Sequence, residues 1–170
     1  MEDMKLTIEQ FRVVAREYIE LIEKCSSMSR RQLVERAHRT LVDLYRLGAS
    51  LSNVDSDADE ITKDQVGHDQ WSNMYGQLRA KLADADVYWM VFDPADPDDK
   101  EATQHTLSDD LSDIYREIKN AVPVNEFAPF DNNALWTLRF KYEIYWGHHA
   151  VNALTAQHSL LCVPSYLIDD

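Results

Sequence analysis

The side chains best suited to chemistry are acids and histidines in the second half of the chain. They form a candidate polar cluster with six members: Asp109, Asp110, Asp113, Glu143, His148 and His149. Residues three or four positions apart in a helix share a face, so Asp113 lies on the same side as Asp109 and Asp110. Carboxylate and imidazole groups in this arrangement bind a divalent cation, or shift the pKa of a carboxylate for acid–base work.

Two helices must bring this cluster together. Apolar periodicity predicts one helix over about 106–122 and a long last helix over about 131–161, and neighbours of this kind run antiparallel. If Ile118 is level with Leu138, carboxylates of the first helix face the segment that contains the adjacent histidines. The predicted ligands of a divalent metal are Asp110, Asp113, Glu143 and His148.

A structural polar network is the alternative interpretation of the same residues. Arg139 precedes Glu143 by four positions, and Arg116 follows Asp113 by three, which are the spacings of ordinary ion pairs. The two adjacent histidines are separated by about 100° of helix rotation, so only one of them can face the core. A core histidine that is hydrogen-bonded to an aspartate or a tyrosine would need no metal.

The chain lacks a complete pattern of any known catalytic class. Glu35 and His38 form a single E-x-x-H, whereas di-iron bundles need two. The D-D-x-x-D of residues 109–113 has the spacing of the first motif of all-α nucleoside triphosphate pyrophosphatases, but Trp146 stands where their second motif needs an acid. We therefore predict a non-enzymatic protein-interaction or structural module without a cofactor. The alternative is a hydrolase-like enzyme that binds a divalent metal ion.

Two further features of the sequence bear on packing and on partners. Gly147 lies inside the last helix, where glycine costs about 1 kcal/mol relative to alanine, so we expect another backbone or a large side chain to approach it closely.

Aromatic residues are numerous, and most are expected to pack in the core. An aromatic groove that binds a partner peptide is the functional alternative.

The rest of the chain is also expected to be helical. We predict an all-α antiparallel bundle of about five main helices in a single domain, 1–170, with Ser29 and Gln32 forming a capping box. The run from Asp86 to Pro94 has no obvious partner strand and is predicted as helix. The first three helices are predicted at about 7–24, 29–48 and 64–83, and polar connectors at 52–64 and 95–104.

Composition restricts the partners and the compartment. The chain has 170 residues and a net charge of −13, which repels phosphate backbones and excludes nucleic acid as a partner. No apolar run reaches membrane-spanning length, and no signal pattern opens the chain, so we expect a cytoplasmic protein without membrane contact. Cys25 and Cys162 are predicted as buried or half-buried free thiols. A protein partner of unknown identity, basic in character, remains open, as does the choice between monomer and dimer.

Three stretches carry a resemblance to a known family. They are Y-W-M-V-F-D-P (88–94), D-D-L-S-D-I-Y-R-E-I-K (109–119) and W-T-L-R-F-K-Y-E-I-Y-W-G-H-H-A-V-N-A-L (136–154). In this order they resemble the bacterial helical-bundle family DUF5063. The resemblance implies an all-helical, cytoplasmic, bacterial protein, and it implies no activity.

Overall fold

A computed structural model describes residues 2–52, 54, 65–122 and 132–162. These residues form a mostly helical bundle, as predicted, with one two-stranded sheet. The helices are α1 (Glu2–Glu23), α2 (Arg30–Ala49), α3 (His68–Leu82), α4 (Leu107–Ala121), α5 (Asn132–Lys141) and α6 (Gly147–Cys162). A π-helical segment, Tyr142–Trp146, joins α5 to α6 without a break, so the last helix is a continuous rod.

Helix boundaries follow local signals in most places. Ser29 caps α2, because its Oγ accepts from the Gln32 amide at 3.2 Å and the Gln32 side chain accepts from the Ser29 amide at 3.1 Å. The predicted start of the first helix near Thr7 was wrong, since α1 already begins at Glu2. Residues 4–6, Met-Lys-Leu, are good helix formers and let the helix extend ahead of the expected cap.

The core lies where α1, α2, α3, α4 and α6 meet. Its largest fully buried side chains include Phe11 and Tyr18 of α1, and Trp146 of the π segment. The Tyr18 hydroxyl donates to the Leu111 carbonyl oxygen at 2.9 Å, which satisfies a buried polar group and joins α1 to α4. Burial of this apolar surface is the main stabilising term of the bundle.

The predicted helix over residues 86–94 was wrong, because this run forms a strand. Strand β1 (Val87–Val91) pairs antiparallel with β2 (Ala102–Thr106), so the predicted connector 95–104 ends in a strand. The first strand is rich in β-branched and aromatic residues, which favour extended backbone. Its partner, A-T-Q-H-T, is polar and shows no apolar alternation, so periodicity could not reveal it.

Other predictions concern chain segments at the edges of the described residues. The connector 52–64 and the predicted start of the third helix at residue 64 lie almost entirely outside the described residues, and α3 itself begins at His68 after Gly67.

Cys25 is buried, as expected, but Cys162 is exposed at the end of α6. No described helix combines the length and the apolar character that crossing a membrane requires.

Two glycines allow the last helix to pack closely. A Cβ atom placed on Gly48 of α2 would lie 2.5 Å from Cη2 of Trp146 and 2.7 Å from Cδ2 of Tyr142. The expected approach of a large side chain to Gly147 is present, since a Cβ there would lie 3.1 Å from Cδ2 of Tyr142. The nearest atom, however, is the carbonyl oxygen of Tyr142 in the same rod, which accepts the Gly147 amide in the π turn. Because Gly48 has no side chain, Tyr142 and Trp146 of the π segment can pack directly against α2.

Gly48→Ala should therefore destabilise the protein. Overpacking costs about 1–3 kcal/mol and outweighs the gain in helix propensity, which is about 1 kcal/mol. Gly76→Ala in α3 is the matched control, because nothing lies within 4 Å of a Cβ there, and it should stabilise by about 0.5–1 kcal/mol. Urea denaturation measures both variants. Equal effects of the two substitutions would contradict this packing.

Candidate functional site

The first turn of α4 is anchored by a buried carboxylate from the segment that precedes β1. Asp86 Oδ1 accepts from the Ser108 amide at 2.7 Å, and its Oδ2 accepts from the Ser108 hydroxyl at 2.8 Å. The Asp86 carbonyl oxygen also accepts from the Leu107 amide at 2.8 Å. Burial raises the pKa of the Asp86 carboxyl, although these hydrogen bonds oppose the shift. This contact fixes the start of α4 against the hairpin.

Asp110 joins three elements of the fold. Asp110 is 3% exposed as a residue, and its Oδ2 accepts from the Tyr88 hydroxyl of β1 at 2.5 Å. Its Oδ1 lies 2.9 Å from Nδ1 of His149 on α6. Burial and the charge of Asp110 raise the pKa of Tyr88 far above its usual value, so the phenol stays protonated and donates. Both oxygens of Asp110 are therefore engaged.

His149 presents its other ring nitrogen to a second acid of α4, Asp113. Its Nε2 lies 3.5 Å from Oδ2 of Asp113. One ligand atom each from Asp109, Asp113 and His149 can be chosen such that all lie within 4.8 Å of one another. We call these three residues the carboxylate–histidine cluster. They are half-buried, with 27% of the His149 side chain and 16% of the Asp113 side chain exposed, so water reaches them.

The charges in this cluster act strongly on one another. Burial alone lowers the pKa of His149, but the hydrogen bond to Asp110 and the charges of Asp110, Asp113 and Asp109 outweigh it and raise that pKa. Burial, and then the charge of Asp113, raises the pKa of Asp109. Arg116 Nη2 lies 2.9 Å from Asp113 Oδ1 as an ion pair, but this oxygen makes no hydrogen bond. The site thus has an excess of negative charge.

The structure brings together four of the six residues in the predicted polar cluster. Glu143 is exposed and ion-paired with Arg139, with a distance of 2.7 Å between its Oε1 and the arginine Nε. His148 is also exposed and packs against the ring of Phe92 at 6.1 Å. The residues that lie close enough together to share a cation are therefore Asp109, Asp113 and His149, and this group includes neither Glu143 nor His148.

The π segment accounts for part of this difference. The prediction treated the last helix as uniform, whereas Tyr142–Trp146 inserts an extra residue per turn and rotates all that follows. Glu117 of α4 pairs with Lys141 at 2.7 Å, whereas the predicted register places residue 139 opposite Glu117, so the observed register lies two residues further along. As a result, it is His149 rather than His148 that faces α4.

Sequence reasoning did not identify Tyr88 as part of the site. It belongs to the run that was predicted as helix, and only pairing with β2 turns its hydroxyl toward α4. Its ring also lies 5.7 Å from that of His105 across the hairpin. The sequence did contain one signal for Tyr88, because it is the first residue of the family-like stretch 88–94.

An aromatic surface is exposed on the N-terminal half of the last helix. Trp136 and Phe140 of α5 stack with ring centroids 5.1 Å apart and remain 42% and 40% exposed. Ile144 and Tyr145 of the π segment are exposed beside them. The prediction that most aromatic residues pack in the core thus holds for Trp146, but not for these side chains.

The fold and the site define a helical bundle with a half-buried carboxylate–histidine cluster between α4 and α6. Residues 2–162 match the family described as "Domain of unknown function (DUF5063)", and the chain belongs to this family. The fold is similar to the crystal structure of protein BF1032 from Bacteroides fragilis, with a TM-score of 0.80 and 24% identity over 93% of this chain and 94% of that chain. This likeness concerns the fold alone. The comparison with curated proteins found no match.

The raised pKa of His149 predicts a specific pH dependence of stability. A histidine whose pKa is higher in the folded state stabilises the protein fully below its unfolded value, near 6.5, and loses this effect as the pH rises through the folded value. The stability difference between wild type and His149→Gln should therefore shrink as the pH rises above about 6.5.

Urea denaturation in EDTA at a series of pH values measures this difference. His148→Gln is the matched control, because its exposed ring packs on Phe92 and not on a carboxylate. If the cost of His149→Gln were the same at every pH, the ionic link to Asp110 would be refuted.

Proposed function

We propose that this protein binds a divalent cation between α4 and α6, with Asp109, Asp113 and His149 as its protein ligands. The observation that carries the proposal is the convergence of two carboxylates and one imidazole nitrogen within 4.8 Å. Divalent cations are held by such oxygen and nitrogen ligands.

The orientation of His149 supports this proposal. Nδ1 of the ring bonds to Asp110, so in the neutral ring Nε2 carries a lone pair that faces Asp113 Oδ2 at 3.5 Å. Two electron-rich atoms repel each other at this distance unless a positive species lies with them. A proton on Nε2 meets this need, and the raised pKa of His149 agrees with such protonation. A divalent cation would replace the proton and also neutralise Asp109.

The hydrogen bonds behind the histidine match those of metal-binding histidines in general. Such a histidine donates its second N–H to a carboxylate, which fixes the tautomer and the direction of the ring. Asp110 is suited to this role, because the Tyr88 hydroxyl occupies its other oxygen. We therefore assign Asp110 and Tyr88 as positioning residues, and we do not count them as ligands.

The ligand set favours some cations over others. The imidazole favours Zn²⁺ over Mg²⁺ or Ca²⁺, which prefer oxygen ligands throughout, and the two carboxylates also suit Mn²⁺. Three protein ligands leave coordination positions for water, and a bound cation lowers the pKa of such a water. Hydrolase-like chemistry is the activity that this arrangement would allow.

Added Mn²⁺ or Zn²⁺ should raise the melting temperature of EDTA-treated protein. A cation at about 100 times its Kd stabilises the folded state by about 2.7 kcal/mol, which corresponds to roughly 5–10 °C for a chain of this size. Mg²⁺ should give a smaller shift. Asp113→Asn and His149→Gln should remove the response, and His148→Gln should retain it.

Calorimetric titration then gives the stoichiometry, for which we expect one cation per chain. No shift with any cation, or an undiminished shift in both ligand variants, would refute this function.

A second candidate function is that of a protein-interaction module. Exposed aromatic side chains at two places favour it, namely Trp89 and Phe92 on the hairpin and Trp136 and Phe140 on α5. Large exposed apolar surfaces are typical of interaction sites. Neither place includes a ligand of the proposed cation, so a single protein can combine both functions.

A bacterial origin and a cytoplasmic location stay predictions from the resemblance and the composition. The same holds for the choice between monomer and dimer. The acidity of the chain supports a basic partner over nucleic acid or an anionic membrane.

A further inference from the structure

The hairpin has one packed face and one open face. Side chains alternate along a strand, so Tyr88, which bonds to Asp110, and Trp89 point in opposite directions. Trp89 is 65% exposed and Val87 is 46% exposed. Val91 lies on the same side, opposite Ala102 of β2. We call these four residues, Val87, Trp89, Val91 and Ala102, the hairpin face.

The open face is physically unusual for so small a sheet. A two-stranded hairpin is marginally stable in water unless it packs against another layer. Here the Tyr88 side packs on the bundle, whereas the hairpin face leaves a tryptophan and a valine in solvent. A layer on that face would bury apolar surface at little cost, because the strands are already ordered.

An acidic turn adjoins this face. It joins β1 to β2 over residues 93–101 and contains five acids and one lysine, which gives a net charge of −4 out of −13 for the chain. Its acids are Asp93, Asp96, Asp98, Asp99 and Glu101. Within the part of the chain that the structure describes, none of them forms an ion pair with a cationic side chain.

The turn is an ordered structure rather than a loose charge run. Asp93 Oδ1 accepts from the Ala95 amide at 2.9 Å, and Asp96 Oδ1 accepts from the Asp98 amide at 2.9 Å. Asp99 Oδ2 accepts from the Asp93 amide at 2.8 Å. Each of these carboxylates keeps a second oxygen for an outside donor, and the turn lies in the chain between Val91 and Ala102 of the hairpin face.

We propose that the hairpin face binds a basic segment of another protein, in which apolar side chains alternate with lysine or arginine. The apolar side chains would cover Trp89, and the cations would meet the carboxylates of the acidic turn. A second copy of this chain fits less well, because it would bring the same uncompensated negative turn to the contact. This inference deepens the interaction-module function and does not depend on the cation site.

The test uses a fluorescein-labelled synthetic peptide in which lysine and valine alternate, with binding measured by fluorescence anisotropy in EDTA. We expect saturable binding that weakens with added salt, because exposed charges are screened. Trp89→Ala should weaken binding by about tenfold or more, as is typical of a buried aromatic anchor. Trp136→Ala is the matched control at the other exposed aromatic surface, and it should leave the affinity unchanged.

Further variants and peptides separate charge from docking. The double variant Asp96→Asn and Asp98→Asn should weaken binding and reduce its dependence on salt. A lysine-only peptide should bind more weakly than the alternating one, and a glutamate–valine peptide should not bind. His149→Gln should bind as the wild type does, so failure of the cation site and failure of this surface are distinguishable.

Three results would overturn the proposal. They are equal affinity in Trp89→Ala, equal affinity for the lysine-only peptide, and loss of binding in Trp136→Ala in place of Trp89→Ala. The last result would locate the interaction surface on α5 and thus retain the module function while refuting the hairpin as its site. Because Trp89 is exposed, its variant should fold normally, and an unchanged melting temperature verifies this.

Discussion

The buried carboxylate of Asp110 is the constraint on which the site depends. A charge at this depth is stable only when it is paired or fully hydrogen-bonded, and Asp110 meets this need with the Tyr88 hydroxyl and the His149 ring. Because these partners belong to β1 and α6, the same two hydrogen bonds hold the hairpin and the last helix to α4. The need to satisfy one buried group thereby fixes the geometry of three elements.

The π segment supplies the second constraint. Trp146 of this segment packs against Gly48 of α2, and the carbonyl oxygen of Tyr142 lies close to Gly147. The segment also rotates α6 relative to α5. That rotation decides which of the two adjacent histidines faces α4. Packing in the core and placement of the candidate ligand are therefore consequences of the same local irregularity. The cation site and the hairpin face, in turn, lie on opposite sides of β1.

Much of this could be predicted from residue types and spacing. The helices, the capping box at Ser29, the three aspartates on one side of α4 and the tight packing at Gly147 all follow from patterns that span a few residues. The hairpin could not be predicted, because β2 is polar and has no apolar alternation that would indicate a strand paired with β1. The choice of His149 over His148 did not follow either, since a π turn leaves no simple mark in the periodicity. Glu143 was placed in the cluster by a register that differs by two residues from the one that the Glu117–Lys141 ion pair shows.

The central claim is that Asp110 holds His149 so that Nε2 is available to a cation beside Asp109 and Asp113. Anomalous X-ray diffraction from crystals grown with Mn²⁺ tests it most directly. We expect one strong anomalous peak at about 2.0–2.3 Å from His149 Nε2 and from an oxygen of each aspartate, with the hydrogen bond from Nδ1 to Asp110 intact. An empty cluster in Mn²⁺-saturated crystals, with His149 Nε2 still paired to Asp113, would contradict the claim.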